Sequence, residues 1–295
     1  MDISPGKRPV RSVGRRLAEF GVVCLVLTCA PLIWLVASGA EIGTGAGRAA
    51  FAVATFGPTL AAFVMWVRYR ERHPGPRVRW SPGWPVAAVV LGAAAPFLAG
   101  LVSSGGDLAA IDAHSRAAIA SAGGLAGALA FTLLAGPVSE EFGWRGYVQP
   151  WLRLRHGRLV TVLALGAMWG AWHVPLFLVP GTGQHELGLL TPGALIYFLE
   201  ILPVTYLILF VSEQLRGGVP AAILLHAAWN LAGELVPKAG VPGQLIELGV
   251  VVGLALAVAG AAAVRGGGTA PAAPAAEPAA PVSPAAEPAA PARTS

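Results

Sequence analysis

The sequence is short of charge. Asp, Glu, Lys and Arg together make up 12% of its 295 residues, about half the ~25% of an ordinary soluble domain. Hydrophobic residues make up 55%, and the mean hydropathy is +0.66. So few polar side chains cannot cover a water-soluble fold of this size; the bilayer is the solvent for most of the chain. Cysteine is scarce too. Cys24 and Cys29 both fall in the first apolar run, five residues apart. On a helix they point in different directions, which excludes a disulfide framework and leaves two small buried apolar residues. No basic stripe with interleaved aromatics is present, so the net charge of +5 does not indicate nucleic-acid binding. No HExxH pair is present to favour a zinc protease of that kind.

What the sequence has is long apolar runs. A spanning helix needs about 20 mostly apolar residues, and eight runs qualify: 17–38, 49–69, 84–104, 117–138, 159–179, 192–212, 218–236 and 243–264. The first is long enough to span and shows no distinct cleavage site, so it is expected to be retained. Basic residues fall on every second connection. Lys7, Arg8, Arg11, Arg15 and Arg16 precede the first run. Arg68, Arg70, Arg72, Arg77 and Arg79 follow the second, and Arg145, Arg153, Arg155 and Arg158 follow the fourth. Arg216 follows the sixth and Arg265 the eighth. The alternate connections hold only Arg48, Arg116 and Lys238, beside Glu41, Asp107, Asp112 and Glu186. The bias predicts an all-α polytopic helix bundle of about eight spans with both termini in the cytoplasm. The expected organisation is a basic arm (1–16), a transmembrane domain (17–265) and a tail (266–295). The tail repeats PAAEPAAP at 274–281 and 284–291, a composition for a disordered, partly polyproline II segment.

Ionisable groups inside a span cost about 2.5–3.5 kcal/mol each on insertion scales and so mark function. Three clusters stand out. Ser139-Glu140-Glu141-Phe142-Gly143-Trp144-Arg145 closes the fourth run. On a helix Glu141 and Arg145 are i,i+4 and can pair, while Glu140 is turned about 100° away and is left for general-base work. Its alternative is a solvated carboxylate at an interfacial helix end. Trp169 through Pro175 places His173 deep in the fifth run with Trp169 one turn before it; a packing histidine bonded to a neighbouring helix is the alternative. His226 and Asn230 share one face of the seventh run, which in lipid could also be interhelical glue. His73, His114, His156 and His185 fall in expected loops, and Glu200 lies in the sixth run without an evident partner.

Together these groups make a catalytic kit of carboxylate, two imidazoles and amide. In one arrangement Glu140 takes a proton from water oriented by His173, and His226 and Asn230 hold the oxyanion. In another, Glu140, His173 and His226 ligate zinc. One strain accompanies both. If the fifth helix starts near Leu159, His173 is fourteen residues, about 21 Å, into it, whereas Glu140 lies near the inner surface.

The three clusters, in this order, resemble the CPBP family, the CAAX protease and bacteriocin-processing (Abi) membrane proteins. Its pattern is EExxxR, FxxxH and HxxxN or HxxxD on successive membrane helices. Glu140, Glu141 and Arg145 match the first, His173 the second with Trp169 in place of Phe, and His226 with Asn230 the third. The resemblance covers residues 117–236. It implies an all-α membrane core and a peptidase-type site. Glu140 and His173 would activate water, His226 and Asn230 would hold the oxyanion, and Glu141 with Arg145 would support them. It leaves the metal open, zinc or none. The implied partner is a membrane-embedded or lipidated peptide or protein in the lipid bilayer. The Ala-, Gly- and Arg-rich usage points to a bacterial plasma membrane. A non-catalytic immunity or scaffold protein and a transporter are the rivals; transporters often carry internal repeats, and the three motifs do not repeat.

Overall fold

The computed structural model describes residues 11–43, 45–70, 78–237 and 240–266. The expectations for Lys7, Arg8, Arg72, His73, Arg77, Lys238 and residues 267–295 lie outside the described residues. Every regular element among those described is helical. The first unit reaches Val258; beyond it the described residues are the end of the last helix.

The apolar runs become helices because straight-chain and small residues dominate them and the bilayer leaves backbone groups no other partner. Helix α1 (Arg11–Ser38) is followed by α2 (Gly45–Thr55) and α3 (Gly57–Tyr69). Then come α4 (Gly83–Ser103), α5 (Leu108–Ser121), α6 (Leu125–Leu134) and α7 (Pro137–Gly143). A π-helical turn (Trp144–Val148) joins α7 to α8 (Gln149–Arg153). Helix α9 (Arg158–His173) continues through a 3₁₀ turn, and the short α10 (Gly183–Leu187) leads to α11 (Pro192–Leu209). A second π-helical turn (Phe210–Gln214) precedes α12 (Gly218–Leu235) and α13 (Val241–Gly266).

Among the described residues, five helices are long and apolar enough to cross a membrane: Val13–Ser38, Gly83–Ser103, Arg158–Leu178, Pro192–Gln214 and Val241–Val264. Two bent pairs raise the count to seven if each is one span: Gly45–Thr55 with Gly57–Tyr69, bent by 58°, and Leu108–Ser121 with Leu125–Arg153, bent by 78°. These helices expose large apolar side chains such as Val22, Ile33, Phe63, Val90, Leu159 and Leu195, as lipid-facing surfaces do. The polytopic all-α class is therefore the observed one.

Several boundaries differ from expectation, each for a physical reason. The fourth run is not one helix over 117–138. Gly123 and Gly124 take φ of +82° and +90°, a conformation open to glycine, and the chain turns there. The run's first part joins α5, where His114, Asp112 and Arg116 are helical and not in a loop. Its second part continues through α7 and α8 to Arg153, so Arg145 is inside a helix and not in the connection after it. His185 lies in α10. Arg15 and Arg16 belong to α1, Arg48 to α2 and Arg68 to α3. Gly266 ends α13 instead of opening the tail. The expected seventh run exists as α12, but its 18 residues carry His226, Asn230 and Glu234, and it is not among the helices apolar enough to span on composition alone.

Helix α12 packs most extensively on α4, and α7 packs on α3. Both contacts depend on missing side chains. A Cβ at Gly92 would strike the Leu225 carbonyl oxygen, and one at Gly143 the Pro58 carbonyl. Small residues let backbones approach this closely in lipid. At one end of the bundle Glu19 joins α1 to α3, accepting from Tyr69 Oη at 2.5 Å and pairing with Arg68 at 3.2 Å. The Arg16 guanidinium covers the rings of Tyr69 and Trp151 there. The ends of α1, α3 and α8 thus lie at one level.

Candidate active site

Helices α7, α9, α11 and α12 surround a cavity of about 220 Å³. Glu140 reaches it from α7, Trp169 and His173 from α9, Tyr197 and Glu200 from α11, and His226 and Asn230 from α12. Each pair on one helix is spaced three or four residues apart, which puts it on one face.

Glu140 is 4% exposed. It is enclosed by protein and not solvated, and the expected depth mismatch is absent. It lies thirteen residues before Arg153, and His173 lies fifteen after Arg158. At 1.5 Å per residue that is about 20 and 22 Å along neighbouring helices joined at their ends. The mismatch came from reading Arg145 as a loop residue.

Behind the cavity, Arg145 Nη1 donates to Glu141 Oε1 at 2.9 Å, with both side chains almost fully buried. His226 Nδ1 meets the same oxygen at 2.8 Å. A carboxylate oxygen facing Arg145 accepts, so this imidazole nitrogen carries the hydrogen. Removing one partner of such a buried set leaves an uncompensated charge and costs about 3–5 kcal/mol. The helix accommodates Arg145 in its π-helical turn, a distortion frequent at functional sites.

Trp169 connects the two groups. Its face lies under the Arg145 guanidinium, 4.3 Å from Cζ. Its Nε1–H donates to Glu140 Oε2 at 2.5 Å. Its backbone carbonyl accepts from His173 Nδ1 at 2.8 Å. His173 therefore has its Nε2 lone pair free of that bond, and Glu140 its Oε1 free of the tryptophan.

Gly136 marks where the reactive atoms converge. A Cβ placed on it would be 2.8 Å from Asn230 Nδ2, 3.5 Å from His226 Nε2 and 3.7 Å from Glu140 Oε1. Glycine keeps that space open for another molecule. A carboxylate, an imidazole and an amide around one point can activate water and hold a developing oxyanion.

The fold thus gathers all six residues singled out in the sequence. Glu140, His173, His226 and Asn230 line the cavity, and Glu141 and Arg145 stand behind it. The zinc set does not fit. Among the described residues no three His, Cys, Asp or Glu side chains are arranged to hold a metal. Three contributors were not expected: Gly136, whose only signal is a Gly-Pro step ahead of the acidic pair; the Trp169 N–H; and Tyr197, edge-on to His173 at 5.6 Å.

Comparison with a known family falls on the same helices. Residues 122–232 match the family model described as type II CAAX prenyl endopeptidase Rce1-like. The chain is also 33% identical over 129 residues to CAAX prenyl protease 2 of Methanococcus maripaludis, covering 43% of this chain and 47% of that protein. It thus spans about half the length of the relative it matches. Both are likenesses to CAAX proteases, and the segment matched by the family model, residues 122–232, holds the whole cluster.

Proposed function

We propose that the protein is an intramembrane endopeptidase of the CAAX protease type, hydrolysing a peptide bond of a membrane-embedded or lipidated substrate with water activated by Glu140. The observation that carries this reading is the convergence of Glu140 Oε1, His226 Nε2 and Asn230 Nδ2 around Gly136 in a buried cavity.

The hydrogen bonds distribute the roles. Trp169 holds one oxygen of Glu140, leaving Oε1 to take the proton of water. His173 donates through Nδ1 to a backbone carbonyl, so its Nε2 accepts the second water hydrogen and orients the nucleophile. The water oxygen bonds to the scissile carbonyl carbon as its proton passes to Glu140, and the carbonyl π electrons move to oxygen. Asn230 Nδ2–H donates to that oxyanion, and His226, anchored on Glu141 through Nδ1, stands beside it with Nε2 toward the same point. Collapse breaks the C–N bond, and Glu140 delivers its proton to the departing amine. Removing one oxyanion donor typically costs 10²–10³ in kcat; Asn230→Ala is expected in that range. No step runs through a metal. The relative's name gives prenylated CAAX proteins as the substrates of that enzyme; for this chain we place the substrate in the broader class of membrane-anchored peptides. The composition suits a bacterial plasma membrane.

The test is cleavage of a membrane-peptide library by the full chain in nanodiscs, with Glu140→Ala and His226→Ala beside wild type, with and without chelator. Cleavage lost in both variants and surviving chelation is the expected result. Loss on chelation with rescue by zinc would overturn the metal-free mechanism. No cleavage by folded wild type would favour a scaffold or immunity role.

A further inference from the structure

The mechanism leaves one cavity carboxylate unused. Glu200 lies on α11, within the span Pro192–Gln214, eight residues and so about 12 Å from its start. A carboxylate at that depth is costly, about 2.5–3.5 kcal/mol on insertion scales, and such groups normally pair. Glu200 Oε1 is buried with no hydrogen-bond partner, and the side chain faces the cavity. It follows Tyr197 by three residues, so it shares the helix face whose tyrosine ring meets His173.

Its neighbours include further carboxyl groups and no Lys or Arg. Glu140 and Glu200 both line the cavity, and none of the described residues lining it is Lys or Arg. Glu247 on α13 is close enough to act on Glu200 electrostatically and adds a further carboxylate. The two histidines of the lining are engaged elsewhere, His173 on the Trp169 carbonyl and His226 on Glu141. Arg145 is committed to Glu141. The same cavity offers apolar and aromatic side chains, Leu176, Tyr197, Ile201, Val204 and Trp229, with Thr55 and Gln184 among its polar groups. A cavity that sets apolar side chains beside an unpartnered carboxyl oxygen matches a long side chain with a cationic tip, which lays its methylenes along apolar surface and presents its charge at the end. A carboxylate-bearing group finds no Lys or Arg there.

We infer that Glu200 selects the substrate, and that it receives a Lys or Arg side chain close to the scissile bond. This rests on the hydrolase reading and narrows its substrate class to membrane peptides with a basic residue at the cut site. Glu200 is a specificity residue and takes no part in bond making or breaking.

The experiment separates binding from cleavage. Dye-labelled Leu/Ala peptides of equal length carry one central Lys, Gln or Glu. Their binding is measured to the full chain in phosphatidylcholine nanodiscs, with Glu140→Gln to block chemistry, and to Glu140→Gln combined with Glu200→Gln or Glu200→Asp. A hydrogen-bonded charge pair in such a site predicts that the Lys peptide binds about ten- to a hundredfold tighter than the Gln peptide. The Glu peptide should bind weakest. The Lys preference should vanish with Glu200→Gln and persist with Glu200→Asp, both variants keeping the melting temperature of the parent. Equal binding of the three peptides, no binding of any, or a Lys preference that survives Glu200→Gln overturns the inference. Cleavage by wild type is followed in parallel. Lys-selective binding without cleavage would sink the hydrolase reading and leave Glu200 as the selector; cleavage blind to the charge would do the reverse.

Discussion

Trp169 stands where the family pattern has phenylalanine, and its surroundings show what the indole adds. The ring carries the Arg145 guanidinium on its face and meets His226 edge-on at 5.4 Å. A phenyl ring could do both. The Nε1–H bond to Glu140 needs the indole. Trp169→Phe therefore removes one hydrogen bond to a carboxylate while keeping most of the packing. A hydrogen bond to a charged group is worth about 1.5–3 kcal/mol, so kcat on a cleaved peptide is expected to fall about ten- to a hundredfold. KM and the circular dichroism spectrum should barely move. An unchanged kcat would mean that Glu140 does not depend on Trp169 for its position. Sequence spacing went far at this scale: the i,i+4 relations of Glu141 with Arg145 and of His226 with Asn230 follow from helical geometry alone. It could not show that Glu141 is shared by Arg145 and His226, because that bond joins residues 85 apart in the chain. Nor could it show that Gly136 leaves room where three polar atoms point.

At the scale of elements, the site depends on how closely α4 approaches α12. Gly92 faces the Leu225 carbonyl and the Ala228 Cβ, and Leu225 is the neighbour of His226. An added methyl meets backbone, which cannot swing aside as the end of a long side chain can. Gly92→Ala is expected to destabilise the bundle by about 1–3 kcal/mol, the usual cost of overpacking, and to lower activity by shifting α12. Gly253 on α13 is the control. A Cβ there meets nothing within 4 Å, so Gly253→Ala should leave the melting temperature unchanged or raise it, since alanine is favoured over glycine in a helix by up to ~1 kcal/mol. Equal losses in the two variants would show that helix propensity, not the α4–α12 contact, governs the effect. Hydropathy located these helices but misplaced the run that bears Glu140. The glycine turn before α6 is visible only as two residues among many small ones. Arg145 reads as a loop cation until its buried partner is known, and the depth error followed from that single residue.

For the whole molecule, the count of spans fixes which side of the membrane holds the C-terminus. Seven spans, with each bent pair counted once, put the termini on opposite sides; eight, with α12 crossing as well, put them together. Hydropathy decides against α12, but hydropathy measures compatibility with lipid. Helix α12 is flanked by α4, α5, α6, α7 and α11, and buries Ala221, Leu225, His226 and Ala232 among them. A helix sheltered by protein can carry an imidazole and an amide and still cross. Its 18 residues reach about 27 Å, close to the ~30 Å of a hydrocarbon core. The alternation of Arg and Lys along the chain favours the same count. Eight crossings with both termini in the cytoplasm is therefore the expected topology. A green fluorescent protein fused after Ser295 should fluoresce in intact bacteria, and single cysteines at Ser4 and Thr294, in a chain lacking Cys24 and Cys29, should react with an impermeant maleimide only after the membrane is opened. Labelling of one terminus in intact cells and not the other would establish an odd number of crossings; α12 would then be a polar insert in the bundle, and His226 would reach the cavity from a helix that never leaves it.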